Sequence, residues 1–213
     1  MRRKLILAIV LLLVSGLNGA VLADLEVGVK SGQYIEYSVN FTGTPAPGHD
    51  IAGAVMTIKQ VSGANITVEI SSYFANGTSE PSITSYLNLE TGQLIDDYII
   101  PANLKAGDTF FDQNLGNVTI AKAEQRIYAG ATRMVLSATV GNNSYVWDQT
   151  TGVSVEGDSQ TADYSIHTVA VSTNMWQRQQ GLDVTVLIVI VVTVIAFVLV
   201  VIALTLGRRG KYA

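Results

Sequence analysis

The sequence has no cysteine. That absence removes disulfides, thiolate metal sites, a cysteine nucleophile and a lipid-modified N-terminal Cys together. Histidine is almost absent too: His49 and His167 are the only imidazoles. His49 sits beside Asp50 in a Gly- and Pro-rich stretch, while His167 lies mid-run between Ile166 and Thr168. A Ser-His-Asp device needs a base held by an orienting carboxylate, and no nucleophile elbow accompanies either histidine. No glycine cluster opens a helix, so phosphate-loop chemistry is excluded as well. The expectation is a chain without a catalytic residue, metal ligand set or cofactor.

Basic residues are scarce where the acidic ones are dense. All 17 Asp and Glu fall within Asp24 to Asp183, against seven basic residues there (Lys30, Lys59, Lys105, Lys122, Arg126, Arg133, Arg178), a net charge of −10. Such a surface repels nucleic acid and anionic lipid, so neither is expected as a partner. Asp96-Asp97, Asp108 and Asp112 offer the hard oxygen donors that suit Ca²⁺, but no D-x-D-x-D loop frames them. A solvated acidic face is the expectation there.

Two hydrophobic runs bracket this segment. Arg2, Arg3 and Lys4 precede the apolar run Leu5 to Val14, and Val21-Leu22-Ala23 suits signal peptidase, placing cleavage after Ala23. Val184 to Leu206 has no charge, proline or glycine. At about 1.5 Å per residue such a run reaches across the ~30 Å hydrocarbon core of a bilayer. Arg208, Arg209 and Lys211 follow it. The positive-inside rule then leaves the C-terminus in the cytoplasm and the N-terminal domain outside. The expected organisation is a signal peptide at 1–23, an extracellular β-rich domain at 24–176, and a juxtamembrane linker at 177–183. A transmembrane helix at 184–206 and a basic tail at 207–213 complete it. The helix holds only Thr185, Thr193 and Thr205 as polar groups, so it cannot carry ions or protons alone. The lipid bilayer is thus the one partner expected directly, through Val184 to Leu206.

Between these runs the hydrophobic period is two. Ile35, Tyr37, Val39 and Phe41 alternate with Glu36, Ser38 and Asn40; Ile66, Val68 and Ile70 alternate with Thr67, Glu69 and Ser71. Further strands are expected at Ala54 to Val61, Ser82 to Leu89, Leu94 to Ile100, Thr109 to Phe111 and Val118 to Ile127. Thr132 to Val140, Ser144 to Trp147, Val153 to Glu156 and Tyr164 to Ser172 follow. Asn76-Gly77 reads as a type I′ turn, and Pro101 to Leu104 as one helical turn. Thr42 to Asp50 reads as a mobile loop. Thr91-Gly92 and Thr151-Gly152 open two similar hexapeptides, either a duplication or two uses of one hairpin turn. The fold class is all-β: an antiparallel sandwich, a barrel or a strongly curved sheet, plus the C-terminal helix. Aromatics spread over many strands, among them Tyr37, Tyr73, Tyr98, Tyr145 and Trp147, serve as core partners or line a ligand cavity.

Five Asn-x-Ser/Thr sequons occur, at Asn40, Asn65, Asn76, Asn117 and Asn142. Each maps to a turn or the polar side of a strand, where a glycan can project.

Several short motifs carry a resemblance. Gly28 to Tyr37, Ile100 to Asp108, Trp147-Asp148 with Thr151-Gly152, and Thr173-Asn174-Met175-Trp176 together resemble uncharacterised archaeal surface proteins of the same layout. The resemblance implies a signal peptide, a β-rich ectodomain and one C-terminal membrane helix, with envelope glycosylation, and no activity. The functional expectation is a non-enzymatic, membrane-anchored surface module, an envelope component or ligand-binding or adhesion domain, touching other envelope proteins or glycans. A carrier of a hydrophobic ligand in a curved sheet and a tethered hydrolase are the alternatives.

Overall fold

A computed structural model describes residues 25–44, 50–179 and 188–198. The chain divides into two compact units, Met1–Trp176 and Gln177–Ala213. In the first, β1 (Tyr34–Gly43), β2 (Ile51–Ser62), β3 (Asn65–Phe74) and β4 (Ile83–Asn88) form a meander. A hairpin of β5 (Thr109–Asp112) and β6 (Gly116–Thr119) stands apart. β7 (Lys122–Tyr128), β8 (Ala131–Val140), β9 (Asn143–Asp148), β10 (Ser154–Gln160) and β11 (Tyr164–Thr173) form a second meander. Antiparallel pairing of β1 with β11 joins the two meanders into one nine-stranded sheet, ordered β4-β3-β2-β1-β11-β10-β9-β8-β7. β4 and β7 end the sheet unpaired to each other, so no barrel closes. The second sheet has only two strands, so this is no sandwich of equal layers.

The period of two fixes which side chains enter the core. Ile35, Tyr37 and Val39 of β1 are buried, as are Met56 and Ile58, Ile66 and Val68, and Leu87 on the next three strands. The same core takes in Leu94, Ile99, Ile100 and Leu104 from the long β4–β5 connection, and Phe110 and Val118 from the hairpin. Trp147 is fully buried at its centre, edge-on to Phe110 at 5.6 Å and stacked on Tyr145 at 5.5 Å. Each large apolar side chain buried this way contributes about 1.5–3 kcal/mol.

β9 is buried on both faces. Val146, beside Trp147, points away from that core and is buried along with Val135 and Tyr128; Val169, Met175 and Trp176 pack on the cluster. The sheet curls toward this side: the Tyr128 hydroxyl of β7 donates to Glu156 of β10, although β8 and β9 lie between them. A half-closed, coiled sheet results, with side chains packed on both of its faces.

Four local expectations fail, each for a stated reason. Leu94 to Ile100 is not a strand: Ile95, Asp96 and Asp97 have φ of 49°, 51° and 54°, one turn of left-handed backbone. Its burial pattern imitates a strand, while its hydrogen bonds go elsewhere: the Trp147 Nε1–H donates to the Asp97 carbonyl (2.8 Å) and Ile100 N–H to the Gly152 carbonyl (2.9 Å). Val118 to Ile127 splits because Ile120 N–H bonds Asp108 whereas Ala121 N–H bonds Ser137, so the chain changes partners there. Pro101 to Leu104 makes no helix; Asn103 lies in the left-handed region at φ 60°. At Asn76-Gly77 only the glycine has positive φ, and Gly77 N–H closes a turn on Phe74, with Asn76 Oδ1 accepting from Thr78 N–H. The type I′ signature falls instead on Ala129 and Gly130, both at positive φ between Tyr128 and Ala131.

In the second unit, 188–198 is helical and its side chains are exposed, Ile188 to Phe197 among them. No helix among the described residues is long and apolar enough to cross a membrane. The expected signal segment 1–23, His49, the basic tail 207–213 and the remainder of Val184 to Leu206 lie outside the described residues.

Candidate functional site

Where the core stops filling the curve of the sheet, a cleft of about 370 Å³ remains. β1, β2 and β3 form one wall with Val39, Ile51, Ala54, Met56 and Ile70, and Ile166 of β11 extends it. The left-handed turn supplies Asp96 and Tyr98 opposite, and β9 and β10 add Asn143, Tyr145, Ser154 and Gly157. The volume lies at the lower end of the ~300–1,000 Å³ usual for small-molecule sites, and the mixture of apolar walls with few polar groups is the usual one. Tyr37 is pinned by a hydrogen bond from its hydroxyl to the Ser154 carbonyl (2.8 Å). Gly53 stands behind the β2 wall, where a Cβ would come within 2.2 Å of the Tyr73 hydroxyl.

The phenols of the cleft are neutral at physiological pH. Burial pushes Tyr37 far up, and burial followed by the Asp96 charge pushes Tyr98 up to about 12. Tyr145 is raised mainly by burial, against a hydrogen bond from Asn143, with the charges of Asp97, Asp96 and Asp112 adding. No phenolate base is available for chemistry there.

Behind the left-handed turn, Asp97 is almost fully buried and its Oδ1 has no hydrogen-bond partner. Burial, then the charges of Asp112 and Asp96, raises its carboxyl to about 7. Asp112 is buried too, its Oδ1 accepting from the N–H groups of Asn114 and Leu115 at 2.6 Å. The solvated acidic face expected for Asp96, Asp97, Asp108 and Asp112 is therefore wrong at two of its four positions. The chain turns around these carboxyls and carries them inside.

A second polar group joins β9, β10 and β11. His167 Nδ1 lies 2.7 Å from Asp158 Oδ1, and the Ser144 hydroxyl donates to Asp158 Oδ2 at 3.1 Å. Serine, aspartate and histidine thus meet, but in the wrong order for acyl transfer. The serine proton goes to the carboxylate rather than to imidazole. Glu156, Asp158 and His167 place ligand atoms within 4.8 Å of one another, a donor set that borderline divalent metals accept. Every member already has a partner: Arg126 Nη1 lies 3.5 Å from Glu156, whose carboxylate also accepts from Tyr128, and Asp158 has both oxygens engaged. The cluster is satisfied as a hydrogen-bonded network.

All five sequon asparagines, Asn40, Asn65, Asn76, Asn117 and Asn142, are exposed. Asn142 is in the two-residue β8–β9 turn and Asn117 on β6. Asn65 is engaged through its side chain, accepting from Asn88 Nδ2 at 2.8 Å.

The short motifs of the sequence build a structural corner. The Gly28 backbone is so close to Thr150, Thr151 and Ala102 that a Cβ would meet the Thr150 carbonyl at 2.3 Å. Ala102 N–H bonds the Glu26 carbonyl, and Asn103 N–H bonds that of Gln149. Asn174 accepts from Tyr34 N–H at 2.8 Å and donates to Gly32. These residues clamp the chain ends and contribute only Tyr37 to the cleft. Of the left-handed turn, Tyr98 was among the aromatics expected to pack or to line a cavity, while Asp96 was missed as a cleft residue; its one legible signal was adjacent carboxylates in an apolar run. No family model matches the chain, and no curated protein matches it.

Proposed function

We propose that this chain is a non-enzymatic, membrane-anchored surface module whose β domain holds a hydrophobic ligand in the cleft of its curved sheet. The cleft carries the reading. On the face of the sheet that holds Trp147 and Phe110 the core stops short, leaving a hollow walled by Val39, Ile51, Met56 and Ile70. An open apolar hollow between rigid paired strands is suited to binding, and apolar surface of that kind is retained where something covers it. The inverted Ser-Asp-His order and the neutral phenols argue against hydrolysis.

Anchoring rests on the uncharged run Val184 to Leu206 and the basic residues after it. The exposed apolar side chains of 188–198 support it, since such a surface calls for lipid or a partner. The exposed sequons support an outward-facing domain that carries glycans. Intact-mass spectrometry of the chain purified from its native membrane tests these points together. The expected spectrum lacks residues 1–23, carries added sugar mass, and shows a small molecule released on unfolding. A spectrum with Met1 retained, no added mass and no released molecule overturns the proposal.

A further inference from the structure

The cleft has a sign as well as a shape. Among the described residues, Asp96 and Asp158 are the charged residues of its walls, and no Lys, Arg or His lines it. Asp158 is engaged by His167 and Ser144. Asp96 makes no hydrogen bond or ion pair among the described residues. Asp97 and Asp112 stand close behind it, buried. The Asp112 charge, joined by that of Asp97 as it ionises near pH 7, acts on the Tyr145 phenol inside the cleft, as that of Asp96 does on Tyr98. Negative potential thus reaches the space a ligand would fill, and low-dielectric walls strengthen it. An anionic headgroup is repelled there and a cation is attracted. Tyr37, Tyr98 and Tyr145 bring three aromatic rings to the same end, groups that stabilise a cation over their faces, above all an alkylated ammonium. The apolar wall of β1 to β3 lies across from that end.

We propose that the cleft takes a cationic amphiphile, its ammonium group at Asp96 among the tyrosines and its apolar body along Val39, Ile51, Met56 and Ile70. This rests on the reading of the cleft as a hydrophobic-ligand site and adds the charge of the ligand. Recognition is by Asp96, which lines the cleft from a left-handed turn (φ 51°).

Titration calorimetry of the full chain in phosphatidylcholine nanodiscs, with empty nanodiscs as the blank, tests it with four probes. Octyltrimethylammonium, octanol and octanoate share a chain and differ in charge; tetramethylammonium has the charge without the chain. Octyltrimethylammonium should bind at least tenfold more tightly than octanol and tetramethylammonium, with octanoate weakest, and added salt should narrow the gap. Asp96→Asn is a safe variant, because asparagine tolerates the left-handed region as aspartate does. It should bring octyltrimethylammonium to within about threefold of octanol, leaving octanol binding unchanged. Octanol equal to octyltrimethylammonium, tighter octanoate, or no effect of Asp96→Asn overturns the cationic assignment while leaving the hydrophobic site standing. Tetramethylammonium binding as tightly as its octyl derivative overturns the amphiphile. If no octyl probe binds, or if the cleft-filling Ala54→Phe leaves octanol binding unchanged in a variant with wild-type circular dichroism, the hydrophobic site itself fails.

Discussion

Arg133 grips the fully buried carboxylate of Asp148 with two parallel contacts, Nε to Oδ2 at 2.7 Å and Nη2 to Oδ1 at 3.1 Å. The outer face of the guanidinium lies 4.8 Å from the centre of the Trp176 ring, whose own Nε1–H bonds the Tyr128 carbonyl. The remaining capacity of Asp148 Oδ1 goes to Thr151, from both its N–H and its hydroxyl. One buried acid therefore ties β8, β9, the following turn and the end of the β domain together. Arg133→Ala leaves that charge without its partner in a dry site, which costs about 3–5 kcal/mol. Urea unfolding of the full chain in neutral micelles, followed by tryptophan fluorescence, measures it. Arg133→Lys should recover less than half, because an ammonium cannot reproduce the fork. A loss below about 1 kcal/mol, the range of exposed pairs, is incompatible with the pair acting as a buried one.

Asp97 makes stability depend on pH in a direction opposite to that of a salt-bridged carboxylate. Its carboxyl is raised from 3.8 to about 7, so the folded chain keeps a proton that the unfolded chain releases. The stabilisation is fully present below pH 3.8 and is lost as pH rises to about 7, with a slope approaching about 1.4 kcal/mol per pH unit. The total is on the order of a few kcal/mol. Asp97→Asn keeps the left-handed backbone and removes the titration. Denaturant midpoints of the two proteins should converge near pH 4 and separate in favour of the variant near pH 8. Parallel curves across that range would show that Asp97 does not take up the proton.

Ala129 occupies a position that an L-residue with a Cβ adopts at a cost of about 1–2 kcal/mol. It is the first central residue of a two-residue turn with positive φ at both positions, where asparagine before glycine is favoured. Ala129→Asn should raise stability by about 0.5–1 kcal/mol, seen as a higher melting temperature with an unchanged β-sheet circular dichroism spectrum. An unchanged or lower melting temperature would mean that strain at this turn is relieved elsewhere.

The sheet was legible in the sequence where one face is buried and one is wet. In β1 and β3 the alternation reads true from Ile35 and Tyr37 to Ile66 and Val68, because water and core impose the period directly, and fails at Phe41, which is exposed near the strand's end. At β9 the strand itself was legible but its faces were not, since Val146 and Trp147 are both buried and burial there carries no alternation. The cleft was not legible, because its wall uses the same residue types as the core. Val39 and Ile70 line the hollow while Ile35 and Val68 pack beneath, on the same strands and in the same pattern. The buried acids escaped for another reason: Asp97, Asp112 and Asp148 are surrounded by turns, and turns are where aspartate is expected to be wet.

The two Thr-Gly turns give the closing test, because their resemblance extends to the hydrogen bonds. Asn88 Oδ1 accepts from Thr91 N–H at 2.9 Å, and Asp148 Oδ1 accepts from Thr151 N–H at 2.9 Å. Gly92 and Gly152 follow, at φ 75° and 72°. Each also abuts backbone: an added Cβ would lie 2.5 Å from the Phe111 carbonyl oxygen at Gly92, and 2.0 Å from that of Ile100 at Gly152. Gly107 has the same kind of φ (92°) with nothing within 4 Å, so it isolates the conformational cost. Gly107→Ala should lose about 1–2 kcal/mol. Gly152→Ala should lose a further 1–3 kcal/mol or so, because the Ile100 carbonyl it would strike belongs to a buried residue whose N–H bonds the Gly152 carbonyl, so it cannot yield freely. Urea unfolding of the two alanine variants ranks them. Equal losses at Gly107 and Gly152 would show that φ alone demands these glycines. A much larger loss at Gly152 would show that close packing of the turn against the Ile100 carbonyl demands glycine there as well.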